Sequence, residues 1–428
     1  MPAAETDVIL GDLGVLLLEC GISVTDVRGS LEQVGRRAAP EAAHEFAILP
    51  EMVMVSRPGA SSATTTVIGK GEVRTFRQSA KASRLVHGLE SGAVPLSAAP
   101  ARMASIRATP RHHPGLQSVI GCGLLSLSLA WLYRCPWWAV ALALVVGLLV
   151  GGLTMLMLRV RAAAAVAPFV SAFVSTLLVG AVAGWLDLGP VPLFAVCAPV
   201  AILVPGALIT NALLELTSTD IVTGASRLMY GLIMLAFMAA GVYSGAYLTG
   251  LRVDSESAAL VGEAVQLTTR SSGWEALPPL WSAWGAVIVL AVGIGLAFGS
   301  GFRLTLVCVV VMAGTYAVLA LFSPWVGSIV AMGVTGAVLF VAARVLERLT
   351  IAIPATVSFQ PAFLLLVPGT IGLVSLASFD AQALVSAPMM FLSLRIGTKV
   401  GALLADLARI TRSTVFQRWT RPARMGEL

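Results

Sequence analysis

Charge is scarce in this chain. Asp, Glu, Lys and Arg make up 12% of its 428 residues, about half the share of an ordinary soluble domain, which excludes a polar-surfaced globular protein over most of the length. Cysteine is sparse and scattered: Cys20, Cys122, Cys135, Cys197 and Cys308 stand singly, with no CxxC pair or Cys/His cluster. That argues against a disulfide framework and against a metal site, and leaves the five as apolar filler. Histidine is missing beyond position 113, since His44, His87, His112 and His113 are the full set. No histidine relay can therefore run through the apolar part. No GxxxxGK[ST] loop, GxSxG, HExxH or dinucleotide fingerprint occurs, so neither an enzyme nor ATP-driven work by the chain itself is expected, and no catalytic residue or cofactor is implied. The opening MPAAETDVIL has acids where a signal peptide carries bases, so no cleaved export signal is expected.

What is present is apolar sequence in lengths that cross a bilayer. Hydrophobic residues make up 57% of the chain, and from Leu116 onward they form runs of the roughly 20 residues that about 30 Å of hydrocarbon requires. The runs fall at 116–133, 137–158, 163–186, 190–214, 228–250, 278–299, 304–322, 326–345, 355–378 and 383–405. Ten spans are thus expected. Before them, residues 1–113 are polar and of mixed charge. Asp7 to Cys20 and Ser23 to Ala38 read as helices, with Gly21 as a stop and Ser23 as an N-cap. Glu51 to Arg57 and Thr64 to Ile68 read as strands around a Pro58-Gly59 turn, Ser83 to Ser91 as a helix, and Ala99 to Pro114 as a Pro/Arg-rich connection. The expected fold is an all-α polytopic membrane protein with a small N-terminal α+β domain.

Arginine sets the orientation. With the N-terminal domain inside, cytoplasmic connections hold Arg159, Arg161, Arg227, Arg303, Arg344 and Arg348, and the tail 409–428 holds five more arginines. Outer connections hold Arg134, Asp187, Asp380 and the long loop 251–277, so both termini come out cytoplasmic by the positive-inside asymmetry. The same asymmetry accounts for the net charge of +6 without nucleic acid. The long loop divides the spans into two sets of five, 114–250 and 278–408, whose corresponding helices cross in opposite directions, as in inverted repeats. Glycine pairs at four-residue spacing, Gly147/Gly151, Gly180/Gly184, Gly241/Gly245, Gly295/Gly299 and Gly397/Gly401, argue for close helix packing.

Two of the spans carry a Pro-Gly pair, Pro205-Gly206 in the fourth and Pro368-Gly369 in the ninth. Proline removes a backbone donor and clashes with the turn before it, so each span should be broken, and a break is tolerated in a membrane only where protein or a cavity satisfies the freed groups. Polar residues gather nearby. Asn211 and Glu215 share a helix face at i, i+4, with Asp220 and Arg227 beyond them, while Gln360 precedes the second break. A carboxylate near a helix centre in hydrocarbon costs about 2.5 to 3.5 kcal/mol, so Glu215 and Asp220 are candidates for proton coupling, with an interfacial position as the competing reading. Arg395 and Lys399 are again i, i+4. Lys399 can snorkel to the interface, whereas Arg395 sits deeper and is a candidate partner for a carboxylate, as is Arg227, which otherwise serves as an anchor. Pro205, Gly206, Asn211, Gln360, Pro368 and Gly369 are the candidate substrate contacts. Exposed half-helix N-termini suit an α-carboxylate, and freed carbonyls with an acid or amide suit an α-ammonium.

The chain resembles the threonine/serine exporter family. The resemblance is carried by Leu18-Glu19-Cys20-Gly21-Ile22-Ser23 with Val27, by the Ile202 to Leu208 motif followed by an acidic segment with Gly224 and Arg227, and by a second five-span unit with its own Pro-Gly. Gly21-Ile22-Ser23 departs from the family's Gly-Ala-Ser turn, and Glu215 stands for the Asp expected after the first Pro-Gly; both bear on substrate more than on fold. Membership implies export of threonine and serine by exchange with protons across the cytoplasmic membrane, with the amino acid, protons and lipid as partners and homo-oligomerisation left open. Relatives split into two subunits are associated with succinate, which keeps a dicarboxylate exporter as the alternative. A membrane-embedded sensor or enzyme using the N-terminal domain is the alternative of another class.

Overall fold

The computed structural model describes residues 3–40, 43–57, 63–111, 113–218, 220–254, 257, 263–264, 267, 273–350, 362, 365–366, 373 and 389–404. The N-terminal part builds its own core. Helix α1 (Ala3–Glu19) is apolar around most of its circumference and lies against an antiparallel sheet of β1 (Glu45–Leu49), β2 (Met52–Arg57) and β3 (Ala63–Ile68), in that order. Glycine lets the helix and sheet close up, since a Cβ on Gly14 would come 2.8 Å from Leu31 and 3.0 Å from Val53. Helix α2 (Val24–Ala38) buries Val24, Val27, Leu31 and Val34 on one face, as its three-and-four spacing dictates. Its N-cap is Ser23, whose hydroxyl accepts from the Asp26 N–H at 3.2 Å. The wholly buried Asp7 carboxylate accepts from Arg57 Nε at 2.8 Å and joins α1 to the end of β2.

Helices α3 (Phe76–Ser91) and α4 (Ala99–Arg107) complete this unit. Three differences from the sequence reading have local causes. Helix α3 starts at Phe76, well before Ser83, because Thr75 and Gln78 form a reciprocal capping box. The Pro/Arg-rich stretch contains α4, whose Pro100 sits at the start where its missing N–H costs nothing. Strand β1 was not expected, since it buries only Ile48 well. Helix α3 belongs to two cores at once: Ala82, Leu85, Val86 and Leu89 pack within the N-terminal unit, while Phe76 and Ala80 pack with the apolar helices that follow.

Those helices are α5 (Pro114–Leu132), α6 (Trp137–Met157), α7 (Arg161–Trp185), α8 (Leu193–Cys197), α9 (Gly206–Leu216), α10 (Ile221–Thr249), α11 (Ala283–Ala297) and α12 (Phe302–Thr350). Among the described residues, six helices are long and apolar enough to cross a membrane, and a seventh crossing is added if the bent pair Leu193–Leu203 and Gly206–Leu216 is one span. Helix α12 has 49 residues, about 73 Å at 1.5 Å per residue, far beyond one hydrocarbon thickness. Gly327, with φ 76° and ψ 158°, interrupts it next to Pro324 and divides it into arms that match the expected seventh and eighth spans. The expected ninth span falls almost wholly outside the described residues, and the tenth is described as helix at 389–404.

Glycine contacts fix directions. On α10, a Cβ at Gly241 would meet the Phe173 backbone nitrogen at 2.9 Å, one at Gly245 the Phe173 carbonyl at the same distance, and Gly180 of α7 faces Thr249. Helices α7 and α10 therefore run parallel. The chain between them leaves the far end of α7 and re-enters at the near end of α10, so the bent α8–α9 segment crosses once and is a broken span rather than a loop returning to its own side. A short parallel pairing of Val191 with Val253 closes the far end. In the second half Gly333 contacts Ser393, and Gly401 contacts Ala337. The arm after Gly327 and helix 389–404 are thus parallel too. Of the glycine pairs expected to make close contacts, Gly184 does not: nothing lies within 4 Å of the Cβ it lacks.

Candidate functional site

The break comes where proline dictates. Helix α8 tightens into a 3-10 turn over Ala198–Leu203, Val204 is extended, and α9 restarts at Gly206 after a 66° bend. Pro205 and Gly206 are both buried. The next turns of α9, with Ala207, Thr210, Asn211 and Leu214, form one wall of a cavity of about 550 Å³, within the roughly 300 to 1,000 Å³ of small-ligand sites. The N-terminal unit supplies the opposite wall through Gly21, Ser23, Asp26 and Val86, and helix 389–404 supplies a third through Phe391, Leu394, Arg395, Thr398 and Lys399. Phe340 and Arg344 of α12 reach the same space.

Beside this cavity the N-terminal unit is held to α9 and α10 by a charged seam. Asn211 Nδ2 donates to the Gly21 carbonyl at 3.0 Å. Glu215 is wholly buried, and its Oε1 accepts from the Val24 N–H at 3.1 Å and from Arg227 Nη1, while Oε2 has no hydrogen-bond partner among the described residues. Val24 opens α2, so the carboxylate also meets the positive end of that helix dipole. Asp220 accepts from Thr25 Oγ1 at 2.9 Å and from Arg28 Nη2 at 2.6 Å. Arg227 accordingly pairs with Glu215, and the partner of Asp220 comes from α2. Arg395 donates through Nε and Nη2 to Thr217 Oγ1 at 3.1 and 3.0 Å, and through Nη1 to Thr398 Oγ1 at 3.4 Å.

A second seam joins α3 to the end of α11. The Phe76 N–H donates to the Phe298 carbonyl at 3.0 Å, the two rings stack with centroids 5.1 Å apart, and Arg111 Nη2 donates to the Leu296 and Ala297 carbonyls at 2.6 and 2.9 Å. These carbonyls lie in the last turn of α11, where the helical ladder runs out, so α3 and Arg111 help to cap its C-terminus. At the other end of the bundle, buried Arg134 donates to the carbonyls of Pro278 at 2.9 Å and Ala264 at 3.2 Å, tying down the long connection.

Of the residues singled out from sequence, Asn211, Glu215, Asp220, Arg227 and Arg395 come together at the junction, Pro205 and Gly206 lie buried behind its wall, and Gln360, Pro368 and Gly369 lie outside the described residues. Sequence reasoning missed Thr25, Asp26 and Arg28. The one local signal was the Ser23-x-x-Asp26 spacing of a capped helix, which says nothing about a contact some 190 residues away.

An interrupted span inside a bundle of apolar helices, with a polar cavity against its second half, is the build of a multi-pass membrane transporter. Residues 8–249 match the family model described as "Putative threonine/serine exporter", more than half of the chain, and the chain belongs to that family of transporters. The match runs from α1 to the end of α10, and the second half lies beyond it. No curated protein and no solved structure matches the chain.

Proposed function

We propose that the protein exports threonine and serine across the cytoplasmic membrane in exchange for protons, with Glu215 carrying the proton. The observation that supports this most is the placement of Glu215: a fully buried acid on the broken span, with one oxygen unpartnered among the described residues and the other held by Arg227 and by the N-terminal unit. Protonation there cancels the attraction to Arg227 and to the head of α2, which loosens the wall of the cavity that the substrate enters. A membrane potential of 100 mV supplies about 2.3 kcal/mol per charge, enough for roughly a 50-fold gradient.

The two-repeat reading draws support from the parallel pairs. Helices α7 and α10 both start at the end where the N-terminal unit sits, whereas the last arm of α12 and helix 389–404 both finish there, with Arg344 and Arg395 at the cavity. One pair is inverted relative to the other. Arg159, Arg227 and Arg344, assigned to the cytoplasmic side, lie toward this same end, which supports an N-terminal unit inside the cell. The dicarboxylate alternative is favoured by one observation, the presence of both Arg395 and Lys399 at the cavity. The deciding experiment loads proteoliposomes with labelled threonine, serine or succinate and imposes a pH gradient. Gradient-dependent flux of threonine or serine is expected, and its absence for both removes the reading.

A further inference from the structure

The cavity presents opposite charges on two elements that do not pair with each other. Asp26 on α2 lines it from the N-terminal unit, and Arg395 and Lys399 line it from helix 389–404. The Asp26 carboxylate lies within electrostatic reach of both cations. Asp26 nevertheless accepts its side-chain hydrogen bond from the Ser23 hydroxyl at 2.7 Å, and Arg395 directs its guanidinium to the hydroxyls of Thr217 and Thr398. A guanidinium has five N–H donors, and three suffice for those contacts, so two remain for a ligand. The other charged groups on the wall, Glu90 and Arg344, have interactions of their own.

Resting on the exporter reading, we infer that this cavity is the loading site for one zwitterionic α-amino acid, whose carboxylate is taken by Arg395 and Lys399 and whose ammonium is taken by Asp26. The geometry separates the two charges across a space sized for a small ligand, and it places Phe391, Leu394 and Val86 beside Ser23 and Thr210, an apolar and a hydroxyl-bearing lining for a short side chain. A planar guanidinium matches a carboxylate through two parallel hydrogen bonds. Asp26 then sets specificity by repulsion as much as by attraction: a dicarboxylate would bring its second anionic group against it. The Ser23 cap does not need that charge, because an asparagine at 26 keeps an oxygen for the hydroxyl.

The test is direct binding to purified full-length protein, by calorimetry, of L-threonine, of 3-hydroxybutyrate, which lacks the ammonium, and of succinate. For Asp26→Asn, threonine is expected to weaken tenfold or more, while 3-hydroxybutyrate and succinate bind as well as to wild type or better. That unchanged binding shows that the variant is folded. For Arg395→Gln, all three are expected to weaken. Wild-type threonine affinity in Asp26→Asn, or a parallel loss of all three ligands there, overturns the assignment of Asp26; wild-type affinities in Arg395→Gln overturn the carboxylate site. If the wild type carries threonine in proteoliposomes while both variants bind it normally, the loading site is wrong and the exporter reading stands. If the wild type binds and carries succinate alone, both fall.

Discussion

The two seams that hold the N-terminal unit to the membrane helices differ in kind. At α2 most contacts are ionic or charge-assisted: Glu215, itself paired with Arg227 of α10, accepts from the Val24 amide, and Asp220 meets Thr25 and Arg28, beside the neutral Asn211–Gly21 hydrogen bond. At α3 they are a stacked phenylalanine pair, main-chain hydrogen bonds and an arginine on helix-end carbonyls. Arginine keeps its charge throughout the working range, so nothing among the α3 contacts responds to protons, whereas the α2 seam rests on two carboxylates. Under the proposed function, one seam acts as a permanent hinge and the other, through Glu215, as a proton-sensitive latch.

The strongest challenge to that contrast is Phe76→Ala, which removes a buried aromatic side chain and is expected to cost about 3 kcal/mol. Proteolysis of the N-terminal unit should accelerate equally at acid and neutral pH; acceleration at one pH only would erase the distinction. Next comes Glu215→Gln, which keeps an acceptor but abolishes the titratable charge. Transport should lose most of its dependence on the pH gradient while the protein still inserts, and unchanged pH dependence would return Glu215 to a structural role. In the wild type, hydrogen exchange corrected for intrinsic rates should show the Val24 amide opening more at acid pH and the Phe76 amide holding steady. Asp220→Asn weakens a partly exposed ion pair and is expected to loosen the latch by about 1 kcal/mol, measured by the same exchange at Thr25. The smallest effect concerns Cys20. Burial pushes its thiol up to about 11, so alkylation at pH 8 should be slow in the wild type and faster only when the α3 side opens, as in Phe76→Ala.

Much of the membrane architecture was legible because apolar length and proline act locally. The break at Pro205, the first three spans and the cap at Ser23 are each written within a few consecutive residues. Glu215, Asp220 and Arg227 stood out because charge inside an apolar run is costly. Their partners did not, since Val24, Thr25 and Arg28 join them only after the chain has folded back across more than 190 residues. Spacing left Arg227 as either an anchor or a partner for a carboxylate; the fold pairs it with Glu215, one helical hairpin away. Helix α10 begins at Ile221, whereas the apolar run starts near 228, because Thr223, Ser226 and Arg227 lower the hydropathy of its first turns without breaking a helix.

The double membership of α3 has a practical corollary. A fragment cut after Arg107 would leave the Phe76 and Ala80 surface uncovered, a sticky patch at the head of an otherwise soluble piece. Such a fragment should self-associate where the full chain does not, since Phe76 and Ala80 lose the apolar helices that cover them.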